Sequence, residues 1–294
     1  DRFPAEQYLA VRVSLDHDAV SPAIGEESRE AHAARFAQIY GELERRITQQ
    51  PDVLSVTFAD RLPGMGPGVR SAEVESADAS EPVFIPNLWF TRVGHRFFET
   101  FDARVVAGRD FHDGDRTDGT RSVLVNEAFA RRYTEGGSAV GRRVRYASSD
   151  PAVPEPWFEI VGVVRNIGMT PTDQGEAPYL YLPGSVVTVP SLVMGVRTAG
   201  DPTALAPRLR QIALVLDPGL RLDEMQSLDA LAWRIDIPMM VMASSITVVV
   251  VLGLFLSAAG IFSLMSVSVS RRTREIGLRA GLGAKHQALV ANIF

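Results

Sequence analysis

"YLAVRVSL", residues 8–15, decides how the front of the chain is read. Leu9, Val11, Val13 and Leu15 fall on one side of a period-two pattern, the mark of a half-buried strand. Phe36, Ile39, Tyr40, Leu43 and Ile47 then recur at helical spacing, Ser28 is placed to cap that helix, and Pro51 stops it. "VLSVTFA", residues 53–59, follows as a second strand with Leu54, Val56 and Phe58 on one face, which completes a β-α-β unit over residues 8–59. A second such unit stands near the far end. "SLVMGVR", residues 191–197, is a strand, and Asp201 and Pro202 suit an N-cap and first helical position. Leu205, Leu209, Ile212 and Leu216 share a helical face, "DPG" ends the helix, and "LRLDEM" is a short strand. Pro207 predicts a bend or a late helix start, because its ring clashes with the preceding turn. Two β-α-β units with helices on one side predict a split β-α-β sandwich, with the strands near 8–15 and 191–197 in one sheet.

Residues 83–185 have a different texture. "GHRFFETF" reads as a short helix, and "NEAFARRY" as one opening at Asn126. "ARVVAG", "RSVLV", "GRRVRYA", "FEIVGVVRNI" and "PYLYLP" read as strands bounded by Gly, Pro and Asp. The expected fold class is therefore α+β: half a domain (residues 1–70), an inserted α+β subdomain (83–185), and the other half (190–226). A stalk and transmembrane helix (227–270) and a cationic end segment (271–294) follow. The segment "SLDALAWRID" is expected to place the outer sandwich in mechanical continuity with the span.

Charge is distributed unevenly. Ile237 to Ser270 is 34 residues without a charged side chain, after which come Arg271, Arg272, Arg274, Arg279 and Lys285 with one acid, Glu275. Residues 237–294 thus carry +4 and residues 1–236 carry −9. An acidic globular part without a basic patch excludes nucleic acid as a partner. The stretch Val241 to Val269 exceeds the ~20 apolar residues needed to cross a bilayer. Cations at its end place the C-terminal side in the cytoplasm and residues 1–236 outside. Gly253, Ser257, Gly260 and Ser263 form a candidate helix-packing face, since small residues let two helix backbones approach. Asp1 is no natural start, and the chain reads as a piece of a longer protein.

The chain has no cysteine, which excludes disulfides, thiolate zinc sites and cysteine nucleophiles. Gly64, Gly66 and Gly68 lack the following helix of a pyrophosphate cradle, and Pro67 interrupts them. "DFHDGDRTDG", residues 110–119, fails the calcium-loop pattern at Thr117 and Asp118 and reads as a solvated turn. His17, His32, His95, His112 and His286 show no metal spacing, and no nucleophile stands in an elbow or triad setting. The expectation is a non-enzyme without catalytic, cofactor or metal residues.

"VSRRTREIGLRAGLGAK" strongly resembles the segment after the second membrane helix of MacB/FtsX-type ABC transporter permeases. The matching run is Arg272, Thr273, Arg274, Glu275, Ile276, Gly277, Leu278 and Arg279, followed by Leu282, Gly283 and Ala284, with Gly281 where the family commonly has Ala. "LPGMG", "FFETFDARVVAGRDF", "VLVNEAFARRY", "EIVGVVRNI" and "YLYLP" are similar to the MacB-type periplasmic core region, most like that of large duplicated permeases. The resemblance implies a porter-like sandwich on a membrane helix, and ATP bound by a separate ABC ATPase subunit or domain rather than by this chain. It further implies a periplasmic adaptor, pairing as a homodimer or pseudo-dimer of permease halves, and a location in the bacterial inner membrane. Residues 272–279 with Gly283 and Ala284 would then be the ATPase-coupling segment, with Glu275 and Arg279 spaced i, i+4 and Ile276 and Leu278 as packing residues. The competing reading of the same cations is an anchor on lipid headgroups. Efflux or export is the leading function. Lipoprotein release, FtsX-like control of cell-wall hydrolases, or a single-helix membrane sensor are the alternatives. Two further spans beyond residue 294 would mark the permease, and a cytoplasmic signalling domain the sensor.

Overall fold

A computed structural model describes residues 4–15, 26–66, 68–76, 81–117, 119–134, 137–148, 150, 153–169, 177–184 and 192–281. Residues 1–236 form one compact unit and residues 237–294 a second.

The split β-α-β arrangement is present in strand order and direction. Strand β1 (Tyr8–Leu15) leads to helix α1 (Glu26–Thr48) and strand β2 (Val53–Ala59). Near the far end, the tenth and eleventh strands, β10 (Leu192–Thr198) and β11 (Leu220–Ser227), flank helix α4 (Ala206–Leu216). The four strands lie in the order β11-β1-β10-β2, every neighbour antiparallel. Each helix therefore crosses over a strand belonging to the other unit, and β1 and β10 pair directly, Val11 opposite Met194. Leu9, Val11, Val13 and Leu15 are buried with Val56, Phe58, Met194 and Val196 beneath Tyr40, Leu43 and Ile47 of α1 and Leu209 and Ala213 of α4. The alternation predicts this face, except that Leu54, at the strand's start, is 54% exposed.

Local signals behave as their chemistry dictates. Asp201 accepts a hydrogen bond from the Thr203 amide at 2.9 Å, and Pro202 opens a short 3-10 turn before α4. The regular helix starts only at Ala206, so Pro207 sits in its first turn, where its missing N–H has no partner to lose. Ser28 is a correction: α1 begins at Glu26, which puts Ser28 inside the helix and not at its cap.

The strands between β2 and β10 close on themselves. β3 (Gly68–Val74), β4 (Val83–Val93), β6 (Ser122–Asn126), β7 (Arg143–Tyr146), β8 (Phe158–Val164) and β9 (Tyr179–Pro183) pair in the ring β4-β3-β7-β8-β6-β9. The parallel β9–β4 pairing, Phe90 opposite Leu180, completes it. Inside lie Val74, Ile85, Leu88, Val123, Val125, Val144, Tyr146, Ile160, Leu180 and Leu182. A closed ring leaves no strand edge unpaired along its circuit. The four-residue β5 (Val105–Gly108) adds to β8. Helix α2 (Phe97–Thr100) follows β4, and α3 (Glu127–Tyr133) follows β6. Asn126 starts α3 as expected. Its Oδ1 accepts from the Phe129 and Tyr179 amides, both at 2.9 Å, and its Nδ2 donates to the Ala177 carbonyl at 2.8 Å, tying β9 to β6.

Sheet and barrel meet over a shared core. Tyr8, Ala10, Ala59 and Val193, on the sheet face opposite the helices, are buried with Phe97, Phe98, Phe101, Leu124, Val161, Tyr179 and Tyr181. The backbones touch where Ala59 of β2 pairs with Val93 of β4. At that seam Gly94 is required: a Cβ there would lie 2.5 Å from the Phe58 carbonyl oxygen. The Arg116 guanidinium donates to the carbonyls of Val93, Gly94 and Gly184 at 3.1, 3.2 and 3.3 Å, binding the ends of β4 and the β9 exit together.

Candidate functional site: the apolar helix and its cationic end

Helix α5 runs from Leu228 to Gly281. Its segment Ser244–Val269 has 26 residues with a mean hydropathy of 2.5, and none of it is buried in protein. At 1.5 Å per residue that is about 39 Å, enough to cross a hydrocarbon core of about 30 Å. Phe255, Leu256, Phe262 and Leu264 are each more than 70% exposed. So many bare apolar side chains in one stretch require an apolar environment. Near its start the Ser244 and Ser245 hydroxyls donate back to the Val241 carbonyl at 2.9 and 2.7 Å, which removes most of the cost of placing them in lipid.

Gly253, Ser257 and Gly260 follow an i, i+4, i+7 spacing on this helix, and a Cβ added at Gly253 or Gly260 would meet nothing within 4 Å. The backbone continues helical through Arg272, Thr273, Arg274, Glu275, Ile276, Gly277, Leu278 and Arg279 to Gly281, without a break after the span. Gly283 and Ala284 lie outside the described residues.

The outer unit carries two features that bear on chemistry. The segment read as a solvated turn at 110–119 holds a buried acid instead. Asp115 is 2% exposed, and its carboxylate accepts from Arg109 at 2.6 and 3.1 Å and from the His112 amide at 3.0 Å. The Arg109 guanidinium is the largest influence holding its carboxyl well below the ordinary range. The signal was visible only as an Arg six residues before an Asp. Among the described residues no group of three or more His, Cys, Asp or Glu could hold a metal ion. A groove of about 800 Å³ on the barrel wall is lined by Arg121, Arg143, Arg145, Glu155, Trp157 and Glu159. Its charges are largely spent on neighbours: Arg143 on Glu75, Arg145 on Glu73 and Glu155 on Arg70.

The family model for the MacB-like periplasmic core domain matches residues 22–228. The chain is 27% identical over 188 residues to the uncharacterized ABC transporter permease YknZ of Bacillus subtilis, covering 62% of this chain and 45% of that one. It is 26% identical over 204 residues to the macrolide export ATP-binding/permease protein MacB of Chromobacterium violaceum, covering 66% and 30%. The chain thus spans less than half the length of these relatives. Among solved structures, the periplasmic region of MacB from Actinobacillus actinomycetemcomitans aligns with 79% of this chain and 94% of its own, at 14% identity and a TM-score of 0.44. With a family match over most of its outer unit, the chain belongs to the MacB-like periplasmic core domain family and is a distant homologue of ABC transporter permeases.

Proposed function

We propose that this chain is the outer domain and adjoining span of a permease subunit that couples ATP hydrolysis by a cytoplasmic ABC ATPase to conformational change outside the membrane, in efflux or export. One observation carries the reading: a domain of the MacB periplasmic family precedes an exposed 26-residue apolar helical segment, Ser244–Val269, with Arg271 and Arg272 just beyond it. On this reading residues 1–236 face the periplasm or exterior, and the cationic end is cytoplasmic. Residues 1–70 and 190–226 act as the two halves of a porter-like domain around the insert at 83–185. Residues 272–279, with Gly283 and Ala284, meet the ATPase. Gly253, Ser257, Gly260 and Ser263 offer the face against which a second span, from another permease half, packs. A periplasmic adaptor would engage the outer domain.

Topology reporters fused after Lys285 test the orientation, and a periplasmic signal would sink it together with the docking of residues 272–279. Coupling is tested by Glu275→Lys and Gly277→Val in reconstituted membranes with the partner ATPase. A reversed charge at a docking contact disfavours it, so stimulation of ATP hydrolysis should fall while the outer domain keeps its protease resistance. Undiminished stimulation in both variants would leave lipid-headgroup anchoring as the role of the cations.

A further inference from the structure

The groove on the barrel wall is framed by paired charges, and two of its charges stand outside those pairs. Arg143 and Arg145 are two apart on β7, so both point away from the interior that Val144 and Tyr146 fill. Each is held by a carboxylate on β3 or just beyond its end. Arg143 donates to the two oxygens of Glu75 at 3.1 and 2.6 Å, and Arg145 to Glu73 at 2.7 Å. Their guanidinium carbons lie 5.6 and 4.5 Å from the centre of the Trp157 ring. The indole is thereby fixed against groups whose freedom is already spent, which lowers the cost of placing a ligand ring beside it. Pro154 and Pro156, both exposed, extend this apolar part of the lining.

Arg121 and Glu159 line the same groove, and among the described residues neither side chain takes part in a hydrogen bond or an ion pair. They are neighbours: the Glu159 amide donates to the Arg121 carbonyl at 2.6 Å, where β6 runs beside β8. Once the partners Glu73, Glu75 and Arg70 are included, arginines and glutamates balance here, which favours a ligand without net charge over a polyanion. A volume of about 800 Å³ is that of a site for a small molecule.

We propose that this groove binds a small aromatic zwitterion, an amino acid or a dipeptide, with its ring beside Trp157, its carboxylate on Arg121 and its ammonium on Glu159. The site stands independently of the coupling function proposed above. Titration calorimetry on the full chain in phosphatidylethanolamine–phosphatidylglycerol vesicles tests it, with phenylalanine, glycyl-phenylalanine, phenylalaninamide and N-acetylphenylalanine as probes. Phenylalanine or the dipeptide should bind saturably, and the tighter of the two identifies which size the groove takes. The amide and the N-acetyl compound, each lacking one charge, should bind about tenfold more weakly than phenylalanine. Arg121→Gln should weaken phenylalanine about tenfold and leave the amide unchanged, because the amide has no carboxylate to lose. Glu159→Gln should behave in the same way towards the N-acetyl compound. Trp157→Ala should weaken every probe by up to about tenfold, with Trp157→Phe restoring most of the loss. Arg121 and Glu159 are exposed, so their variants should keep the wild-type melting midpoint and decide the matter if Trp157→Ala fails to fold. Absence of saturable binding by any probe at about 1 mM overturns the proposal. So does an equal loss for acid and amide in Arg121→Gln. Concentration-dependent association that Arg121→Gln abolishes, without binding of any probe, would give the groove to a second copy of the chain and overturn the proposal as well.

Discussion

The split sheet and the barrel bury similar side chains by opposite means. The sheet is open: among the described residues β11 pairs only with β1, and two helices cover one face. The barrel has no open side, and its core is enclosed by its own strands. Enclosure would let the barrel stand alone, yet it does not. Phe97, Phe98, Tyr179 and Tyr181 leave its neighbourhood apolar on the side that meets Tyr8, Ala10 and Val193. The difference teaches that the insertion was accommodated by fusing cores as well as by joining ends. Residues 1–236 should therefore unfold together.

The largest expected effect tests that fusion. Phe97 is 1% exposed and packs against Phe98, Phe101 and Tyr181 with ring centroids 5.5, 5.0 and 6.3 Å away. Phe97→Ala removes a buried aromatic side chain, a change that costs about 3–5 kcal/mol. A fused core predicts that sheet and barrel signals move together in a urea melt. Two transitions, with only one displaced, would show that the regions are independent and break the comparison.

How much of this could be read from the chain follows from where the determining contacts lie. β1, α1, β2, β10 and α4 each carry their pattern within a dozen or so residues, and Asp201, Asn126 and Pro207 mark helix starts by local chemistry. β4 is not legible in the sequence because its burial breaks period two: Ile85, Leu88 and Val93 are buried, with Pro86 and Asn87 exposed between the first two. A register shift opposite Arg70 and Ala72 absorbs the extra residue there. β3 is masked in the sequence by the glycine-rich loop that leads into it. Barrel closure joins strands some 90 residues apart, as Trp89 opposite Tyr179 illustrates, and no local pattern announces such a pairing. Of the candidate site, the apolar span was plain from length and composition. The segment proposed to meet the ATPase rests on a resemblance, and its unbroken helicity through Gly281 comes only with the structure.

The next effect contrasts how the two regions use ion pairs. In the barrel region Asp115 is buried against Arg109, while near the sheet Asp217 pairs with Arg35, whose side chain is 61% exposed. Asp115→Asn should cost about 1.5–3 kcal/mol, as expected for a buried hydrogen bond to a charged group. The sign with pH is set by the depressed folded-state pKa. The stabilisation is complete above the unfolded aspartate value of about 3.9 and is lost as pH falls below it toward the folded value. Stability measured from pH 7 downward should thus decline more steeply in wild type than in Asp115→Asn. Parallel curves would remove Asp115 from the account. Asp217→Asn should change stability less, because solvent screens its partner.

The smallest effect concerns the sheet edge at β11, where among the described residues β1 is the only paired neighbour. Glu224 in β11 has φ of 49°, and the β1–β11 register shifts beside it, between Ala10 and Arg12. Its carboxylate accepts from Arg12 at 3.2 and 3.0 Å across that irregularity. An irregular, charged edge strand resists pairing with another chain, a defence that a closed barrel does not need. Glu224→Gly relieves a left-handed backbone worth about 1–2 kcal/mol. It gives up an exposed ion pair worth about 0.2–1 kcal/mol, and the freer unfolded chain takes back about 0.5–1 kcal/mol. These contributions nearly cancel, so the melting midpoint should barely move. Glu224→Val discriminates further, because a β-branched residue is strongly disfavoured at positive φ. It should either destabilise the sheet or flatten the edge, and a flattened edge would appear as concentration-dependent association. If Glu224→Val matches wild type in both stability and association, the irregularity at Glu224 plays no part in guarding the edge.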